Sequence, residues 1–198
     1  MAKYKLPKEF FINNPLEKYS TPHIFLEYIA IGDDEEYIFD LEKRTPLDRK
    51  IAQQNMAQRR AIEEADDPAV IVDLMRKGIS VYNTSAFIRK FMAHQSECMP
   101  LLLGRYMTSG QDLFIEMAVK VLIKVDEVYV KQLREMYDQI RSPYARACAC
   151  FVFGQRGMKD TLEFIVGEYE KFKRQYPDEE FDQFVLTAIY QLSGKPLF

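Results

Sequence analysis

The residues that could do chemistry in this sequence are few, and the histidines come first. His23 and His94 are the only two histidines, and His94 lies four residues before Cys98. Side chains at that spacing can ligate a metal ion when both lie on one helix. Ser96 and Pro100, however, indicate a helix boundary within this stretch, and no further ligands are apparent. We therefore expect a partly exposed histidine and a buried cysteine here rather than a metal site.

The other two cysteines, Cys148 and Cys150, are candidates for a nucleophile. A reactive thiol needs a basic neighbour that lowers its pKa, and Arg146 is close in sequence. Both thiols nevertheless lie among Ala and Phe residues typical of a packed helix interface. On one helix they would point about 200° apart and could not easily bond to each other. We expect buried, reduced thiols without a catalytic role.

Acidic residues are concentrated in one stretch of the N-terminal third. The set comprises Asp33, Asp34, Glu35, Glu36, Asp40 and Glu42. Paired carboxylates can act as general acid and base, but no nearby histidine or phosphate-binding glycine loop accompanies them. The common nucleotide, zinc-protease and serine-hydrolase motifs are absent from the sequence. We interpret the stretch as a solvated helix face and expect no catalytic residue, no metal-binding residue and no cofactor.

Basic and tyrosine side chains suggest binding rather than catalysis. The basic set is Lys120, Lys124, Lys131, Arg134, Arg141, Arg146 and Arg156. Acids are interleaved with it, whereas phosphate binding in a groove needs clustered positive charge, so nucleic-acid binding is disfavoured. The tyrosine set is Tyr129, Tyr137, Tyr144, Tyr169, Tyr176 and Tyr190. Tyrosine is enriched at protein-interaction hot spots and also in partly buried helix seams, and the sequence leaves both interpretations open.

The composition describes the scaffold that must position these residues. The chain has 198 residues, of which 47% are hydrophobic and 29% charged, and 12 Tyr with 14 Phe are too many for a solvated coil. No run of about 18 apolar residues predicts a membrane span. The net charge of −3 gives no large basic field. We see no secretory signal and no disulfide framework, and therefore expect a cytoplasmic protein.

Start and stop signals predict a series of helices with short connections. Asp67 is the predicted cap of the first helix after the acidic third, and Gly78 is its predicted stop. The helices predicted in this part of the chain are 68–77, 84–95, 96–108, 111–125, 128–140, 142–155, 159–174 and 178–192. Helices joined by short connections pack antiparallel on their predecessors.

The first 66 residues are less regular. Ser20-Thr21-Pro22 and Gly32 predict a short helix over 20–32, and a β-hairpin turning at Gly32 is the alternative. Acids at 33–36 favour a second helix that ends near Lys43-Arg44. A third helix is predicted over 46–65, with Thr45 as its cap and only a narrow buried face.

An internal repeat is visible in the second helix of each pair. In 142–157, Arg146, Ala149, Val152, Phe153 and Gly157 occupy relative positions 0, 3, 6, 7 and 11. Positions 3 and 7 are apolar again in the other three units, as Phe87 and Phe91, Ala118 and Leu122, and Leu186 and Tyr190. These offsets put the two residues on one helix face, as stacked helix pairs require.

The stretch 142–157 resembles the second helix of a HEAT-like repeat of the short type found in phycobilin lyases. In that family the helix opens with Pro or Asp, carries an Arg in its first turn, has small residues where it crosses its partner and ends in a glycine turn. The matching residues are Pro143, Arg146, Ala147, Ala149, Phe153, Gly154 and Gly157. The resemblance is closest over 128–175, extends more weakly over 68–198 and is absent from 1–66. It implies that Arg146 bonds neighbouring loops.

The resemblance implies an all-α fold. We expect a right-handed superhelix of about four HEAT-like hairpins over 67–198 and an N-terminal helical extension or cap over 1–66. Such a fold implies a scaffold or adaptor without enzymatic activity, which binds a protein or peptide on its concave surface through side chains such as Tyr144, Arg146 and Gln183. The alternatives are a DNA-binding protein similar to HEAT-like alkylpurine DNA glycosylases, although this chain lacks Trp, or a chromophore-lyase-like protein. The oligomeric state and the binding residues stay unassigned.

Overall fold

The computed structural model describes residues 4–19 and 46–197, and all regular structure in those ranges is helical. Its α-helices are α1 (Lys8–Asn13), α2 (Pro46–Glu64), α3 (Pro68–Leu74), α4 (Thr84–Ala93), α5 (Gln95–Tyr106), α6 (Asp112–Leu122), α7 (Glu127–Glu135), α8 (Pro143–Gln155), α9 (Leu162–Gln175) and α10 (Asp182–Leu192). The all-α prediction is confirmed for these residues. Within the same ranges, no helix is long and apolar enough to cross a membrane.

Several predictions concern residues outside the described ranges. They are the helix over 20–32 with its β-hairpin alternative, the helix led by the acids at 33–36, and the cap at Thr45. His23 also lies there.

Local capping chemistry explains several of the helix boundaries. The side chain of Asp67 accepts a hydrogen bond from the backbone N–H of Ala69 at 2.8 Å, which satisfies a donor that the first turn of α3 leaves free. Ser142 accepts similarly from the N–H of Ala145 at 3.3 Å and caps α8. Gly78 and Gly157 have φ values of 74° and 64°, the left-handed region that favours glycine where a helix stops. The predicted cap at Asp67 and the predicted stops at Gly78 and Gly157 are confirmed.

Some predicted boundaries are displaced. The helix predicted over 128–140 ends at Glu135 and is followed by a 3₁₀ turn over Tyr137–Gln139. The break that Ser96 and Pro100 indicated is present between α4 and α5, centred on His94, whose carbonyl accepts hydrogen bonds from the first turn of α5. Pro100 lies inside α5, near its start. The last helix begins at Asp182 instead of residue 178, because Glu180 has a φ of 48° and interrupts the helical path.

The described residues fall into two compact units. We call residues 46–125 the central unit, and residues 4–19 together with 126–197 the terminal unit. Each unit takes residues from both sides of the predicted boundary between 66 and 67. The division into a cap and a repeat domain stays a prediction.

In the central unit, α2 and α4 lie side by side and run in the same direction. The Nε of Arg59 donates to Oδ1 of Asn83 at 2.9 Å, just before α4 begins. Further along both helices, Nζ of Lys90 lies 2.8 Å from Oδ1 of Asp66, just beyond the end of α2. As predicted, α2 buries a narrow face, which includes Ile62.

The helices α3 and α5 also pack in parallel in this unit. The sulfur of Cys98 lies 3.9 Å from the carbonyl oxygen of Pro68 near the start of both helices. Nη1 of Arg105 lies 2.8 Å from Oδ1 of Asp73 near their ends. Helices two apart in sequence are therefore neighbours here, which is the arrangement of two layers of parallel helices.

The terminal unit repeats this arrangement in α8 and α10. The ring of Tyr144 contacts that of Phe184 near the start of the pair, with centroids 5.8 Å apart. Near the ends, Gly154 meets Ala188 so closely that a Cβ added to the glycine would lie 2.6 Å from the Cα of Ala188. The absent side chain of Gly154 thus allows this crossing.

The other layer of the terminal unit consists of α7 and α9. The guanidinium of Arg134 stacks 3.6 Å from the ring centroid of Phe164. One turn further, the hydroxyl of Tyr137 donates to Oε2 of Glu168 at 2.8 Å. The end of α7 and the 3₁₀ turn after it (Tyr137–Gln139) therefore run in the same direction as α9.

Residues 4–19 pack against α9 and α10 in the same unit. The side-chain Oδ1 of Asn14 accepts a hydrogen bond from the hydroxyl of Tyr169 at 2.9 Å. The backbone carbonyl of Asn14 accepts a second hydrogen bond, from the hydroxyl of Tyr190, at 3.0 Å. The hydroxyl of Tyr19 donates to the carboxylate of Asp182. Burial, followed by this hydrogen bond, raises the pKa of Tyr19 and keeps its phenol neutral.

Candidate functional site

His94 and Cys98, the pair considered as possible metal ligands, lie in different environments. His94 lies between α4 and α5, and its Nδ1 is 3.5 Å from the carboxylate of Glu97. Cys98 is fully buried, and burial raises the pKa of its thiol to about 11. Within 4–19 and 46–197, no three His, Cys, Asp or Glu side chains cluster as metal ligands would.

The cysteines of α8 are buried in the helix interface. Cys150 lies 3.6 Å from the hydroxyl of Tyr137, which in turn donates to Glu168. Lys171 forms an ion pair with the same carboxylate. Burial is the largest influence on Cys150 and raises its pKa to about 12, so the thiol stays protonated at neutral pH. The group is a satisfied polar network within the core and lacks a nucleophile.

Arg146 has a structural role. Its Nε donates to the carbonyl of Ile140 at 2.7 Å, and its Nη2 donates to the carbonyl of Asp138 at 3.3 Å. Both acceptors belong to the connection between α7 and α8. Arg146 therefore holds the loop that precedes its own helix, as the HEAT-like resemblance implies.

The tyrosine set is divided between core and surface. Tyr137 and Tyr169 are fully buried, and the other four members are half-buried. Tyr144 lies against Phe181 and Phe184 at the start of α8 and α10. None of the six presents a fully exposed ring, which favours the interpretation as helix seams.

Several members of the basic set make contacts within the protein. Lys120 is buried, and burial lowers its pKa. Lys131 pairs with Glu127 at 2.7 Å, and Arg134 and Arg146 are held by the aromatic and loop contacts described above. These contacts give Lys131, Arg134 and Arg146 local structural roles.

The candidate site is a groove in the terminal unit that no sequence motif indicated. Its volume is about 670 Å³, and three segments line it: the extended residues 4–6 with Phe11 of α1, the stretch 159–163 before and within α9, and residues 192–195 at the end of α10. We call it the terminal groove.

Two of the three segments, 159–163 and 192–195, lie at glycine turns that end helices. After Gly157, the N–H of Met158 donates to the carbonyl of Phe153 at 3.1 Å, and the chain turns into the groove wall. After Gly194, the N–H of Lys195 donates to the carbonyl of Tyr190 at 3.0 Å. Both turns are Schellman motifs, and they end the parallel helices α8 and α10 in the same way.

The groove combines an apolar floor with a charged rim. Its apolar side chains come from Tyr4, Leu6, Phe11, Leu162 and Leu192. Its charged side chains come from Lys5, Lys159, Asp160, Glu163 and Lys195, all exposed. Ser193 also lines the groove, and its hydroxyl oxygen is buried without a hydrogen-bond partner among the described residues. An apolar floor within a charged rim is an arrangement that suits binding.

No protein-family model, curated protein or solved structure matches this chain. Its function therefore has to be argued from the fold and the groove.

Proposed function

We propose that this protein is a non-enzymatic module that binds another protein or a peptide, as a scaffold or adaptor. The single observation that carries the proposal is the terminal groove, whose volume of about 670 Å³ lies in the range typical of ligand sites. Its floor would exclude water from an apolar side chain, while the charged rim would orient the bound segment. The buried, protonated thiols Cys98 and Cys150 support binding without covalent chemistry.

The proposed scaffold is a short right-handed superhelix of HEAT-like hairpins. Three observations support it: parallel packing of α2 with α4 and of α3 with α5 in the central unit, and of α8 with α10 in the terminal unit. Positions 3 and 7 of the repeat also support it, since Phe87, Phe91, Ala149 and Phe153 are fully buried. In this proposal, residues 1–66 act as an N-terminal cap, and Tyr144 and Gln183 remain candidates on the concave surface.

The proposal can be tested by selecting peptides from a random display library against the full chain. Enriched peptides are resynthesised, and their dissociation constants are measured by calorimetry. We expect micromolar binders that compete with one another, which would show a single peptide site. A 20-base-pair DNA duplex, titrated in 50 mM and 200 mM salt, tests the alternative. Failure to enrich any peptide, together with DNA affinity that falls steeply with salt, would overturn the proposal in favour of a nucleic-acid protein.

A further inference from the structure

The charges of the terminal groove are unevenly distributed, and this distribution points to a class of ligand. We propose that the groove takes an extended acidic peptide that carries one bulky apolar side chain, an inference that rests on the proposed function. The argument uses the floor, the rim and one buried hydroxyl of the groove.

The floor fits an apolar anchor. Leu162 and Leu192 form its buried part, with exposures of 6% and 5%, and Leu6 and Phe11 are half-buried beside them. Such a surface gains most free energy when a large aliphatic or aromatic side chain displaces water from it. One bulky side chain is therefore the first requirement for the ligand.

The rim favours negative charge. Lys5 and Lys195 come from segments that contribute no acid to the groove, whereas Asp160 and Glu163 share the third segment with Lys159. Within the described part of the chain, no ion pair engages these three lysines. Lys195 is held with its Nζ 5.2 Å from the ring centroid of Phe11, directly beside the floor. Acidic residues on either side of the anchor would meet these ammonium groups.

Ser193 supplies the third requirement. A buried hydroxyl without a partner costs free energy, and rotation of the Ser193 side chain towards the groove that it lines would let a ligand accept its hydrogen bond and remove that cost. An extended peptide presents a row of backbone carbonyls, any one of which can accept from Ser193. A compact anion could satisfy this hydroxyl but could not also fill the apolar floor and reach lysines on separate segments. The three features together therefore favour a peptide.

Calorimetry with defined probes tests the inference. The first probe is the acetylated, amidated heptapeptide Gly-Glu-Asp-Phe-Asp-Glu-Gly. In the second, Lys replaces every acidic residue, and in the third, Gly replaces Phe. We expect the first probe to bind at least about ten-fold more tightly than either of the others, because each loses one of the two complementary features.

Two protein variants locate the binding. The double variant Lys5→Glu/Lys195→Glu should weaken the first probe by about ten-fold or more. Its control, Lys77→Glu/Lys124→Glu, makes the same change in net charge at exposed lysines of the central unit and should leave affinity unchanged. Ser193→Ala should weaken binding about three- to ten-fold while leaving the free energy of unfolding equal or higher, since it removes an unsatisfied buried group.

The outcomes separate this inference from the proposed function. Equal binding of the acidic and basic probes, or an unchanged affinity in Lys5→Glu/Lys195→Glu, would overturn the acidic-peptide assignment. If display-selected peptides still bind in that case, the protein remains a peptide-binding module with a different site or specificity. If neither the probes nor any selected peptide binds, both proposals fail.

Discussion

Replacing Gly154 with alanine is the most direct test of how α8 and α10 pack. A Cβ built on Gly154 would lie 2.6 Å from the Cα of Ala188, 2.7 Å from its Cβ and 2.7 Å from Oε1 of Gln191. Carbon atoms in ordinary contact are about 3.5–4.0 Å apart. The Gln191 side chain can rotate away, but the two Ala188 atoms can move only with their helix. The substitution therefore forces α8 and α10 apart by about 1 Å.

The expected cost follows from two opposing effects. Overpacking of a well-packed core destabilises a protein by about 1–3 kcal/mol. Alanine in a helix interior recovers up to about 1 kcal/mol relative to glycine. Because the clash involves backbone atoms, we place the overpacking at the upper end of its range and expect a net loss of about 2 kcal/mol. For a chain of this size, that corresponds to a Tm lower by about 4–8 °C.

Gly167→Ala is the matched control. Gly167 lies inside α9 in the same unit, and a Cβ added there meets nothing within 4 Å. The control should gain up to about 1 kcal/mol, since only the helix propensity changes. Urea unfolding followed by circular dichroism measures both variants, and amide hydrogen exchange shows whether α8 and α10 lose protection. If Gly154→Ala is as stable as Gly167→Ala, the close crossing and the argument from it are wrong.

Three further predictions concern polar groups of the terminal unit. Arg146→Ala should cost about 1–3 kcal/mol and expose the connection between α7 and α8 to proteolysis, whereas an unchanged cleavage rate would contradict its role in holding that loop. Tyr137→Phe removes a hydrogen-bond donor from the buried Glu168 carboxylate, so urea unfolding should show a loss of about 1–3 kcal/mol in the free energy of unfolding. Its control, Tyr129→Phe, lies outside this network and should change the free energy of unfolding by less than about 0.5 kcal/mol. Because the pKa of Cys150 is raised from 9.0 in the unfolded state to about 12 in the fold, its contribution to stability is complete below pH 9 and declines as pH rises towards 12. Cys150→Ala should therefore flatten the stability profile between those values, and an unaltered profile would refute the assignment.

Local chemistry explains why much of the fold could be predicted from the sequence. Asp67 and Ser142 cap helices through hydrogen bonds to residues two or three positions away, and Gly157 ends a helix through its own φ. Such signals lie within one turn of chain, so the sequence displays them directly. Pro100 and Glu180 show the limit: a proline inside α5 and a positive φ at a glutamate both go against the preference of the residue type, which is all that the local sequence displays.

The candidate site could not be predicted in the same way. The terminal groove joins residues near 5, 160 and 194, whose proximity depends on contacts across more than 150 positions, such as that between Asn14 and Tyr169. Leu6 and Lys5 belong to a stretch with no motif, and the local sequence around Ser193 does not indicate that its hydroxyl oxygen is buried without a partner. The prediction of buried cysteines was more successful, because their Ala and Phe neighbours are themselves a local signal.

The docking of residues 4–19 has a consequence for how the protein is made. Tyr19 and Asn14 leave the ribosome long before Asp182 and Tyr190, their hydrogen-bond partners 163 and 176 positions later. At about 5–20 residues per second, the delay is on the order of 10–30 s. During that time Phe10, Phe11 and Leu16 have no α9 or α10 to cover them. Residues 4–19 therefore cannot complete these contacts until synthesis has passed α10.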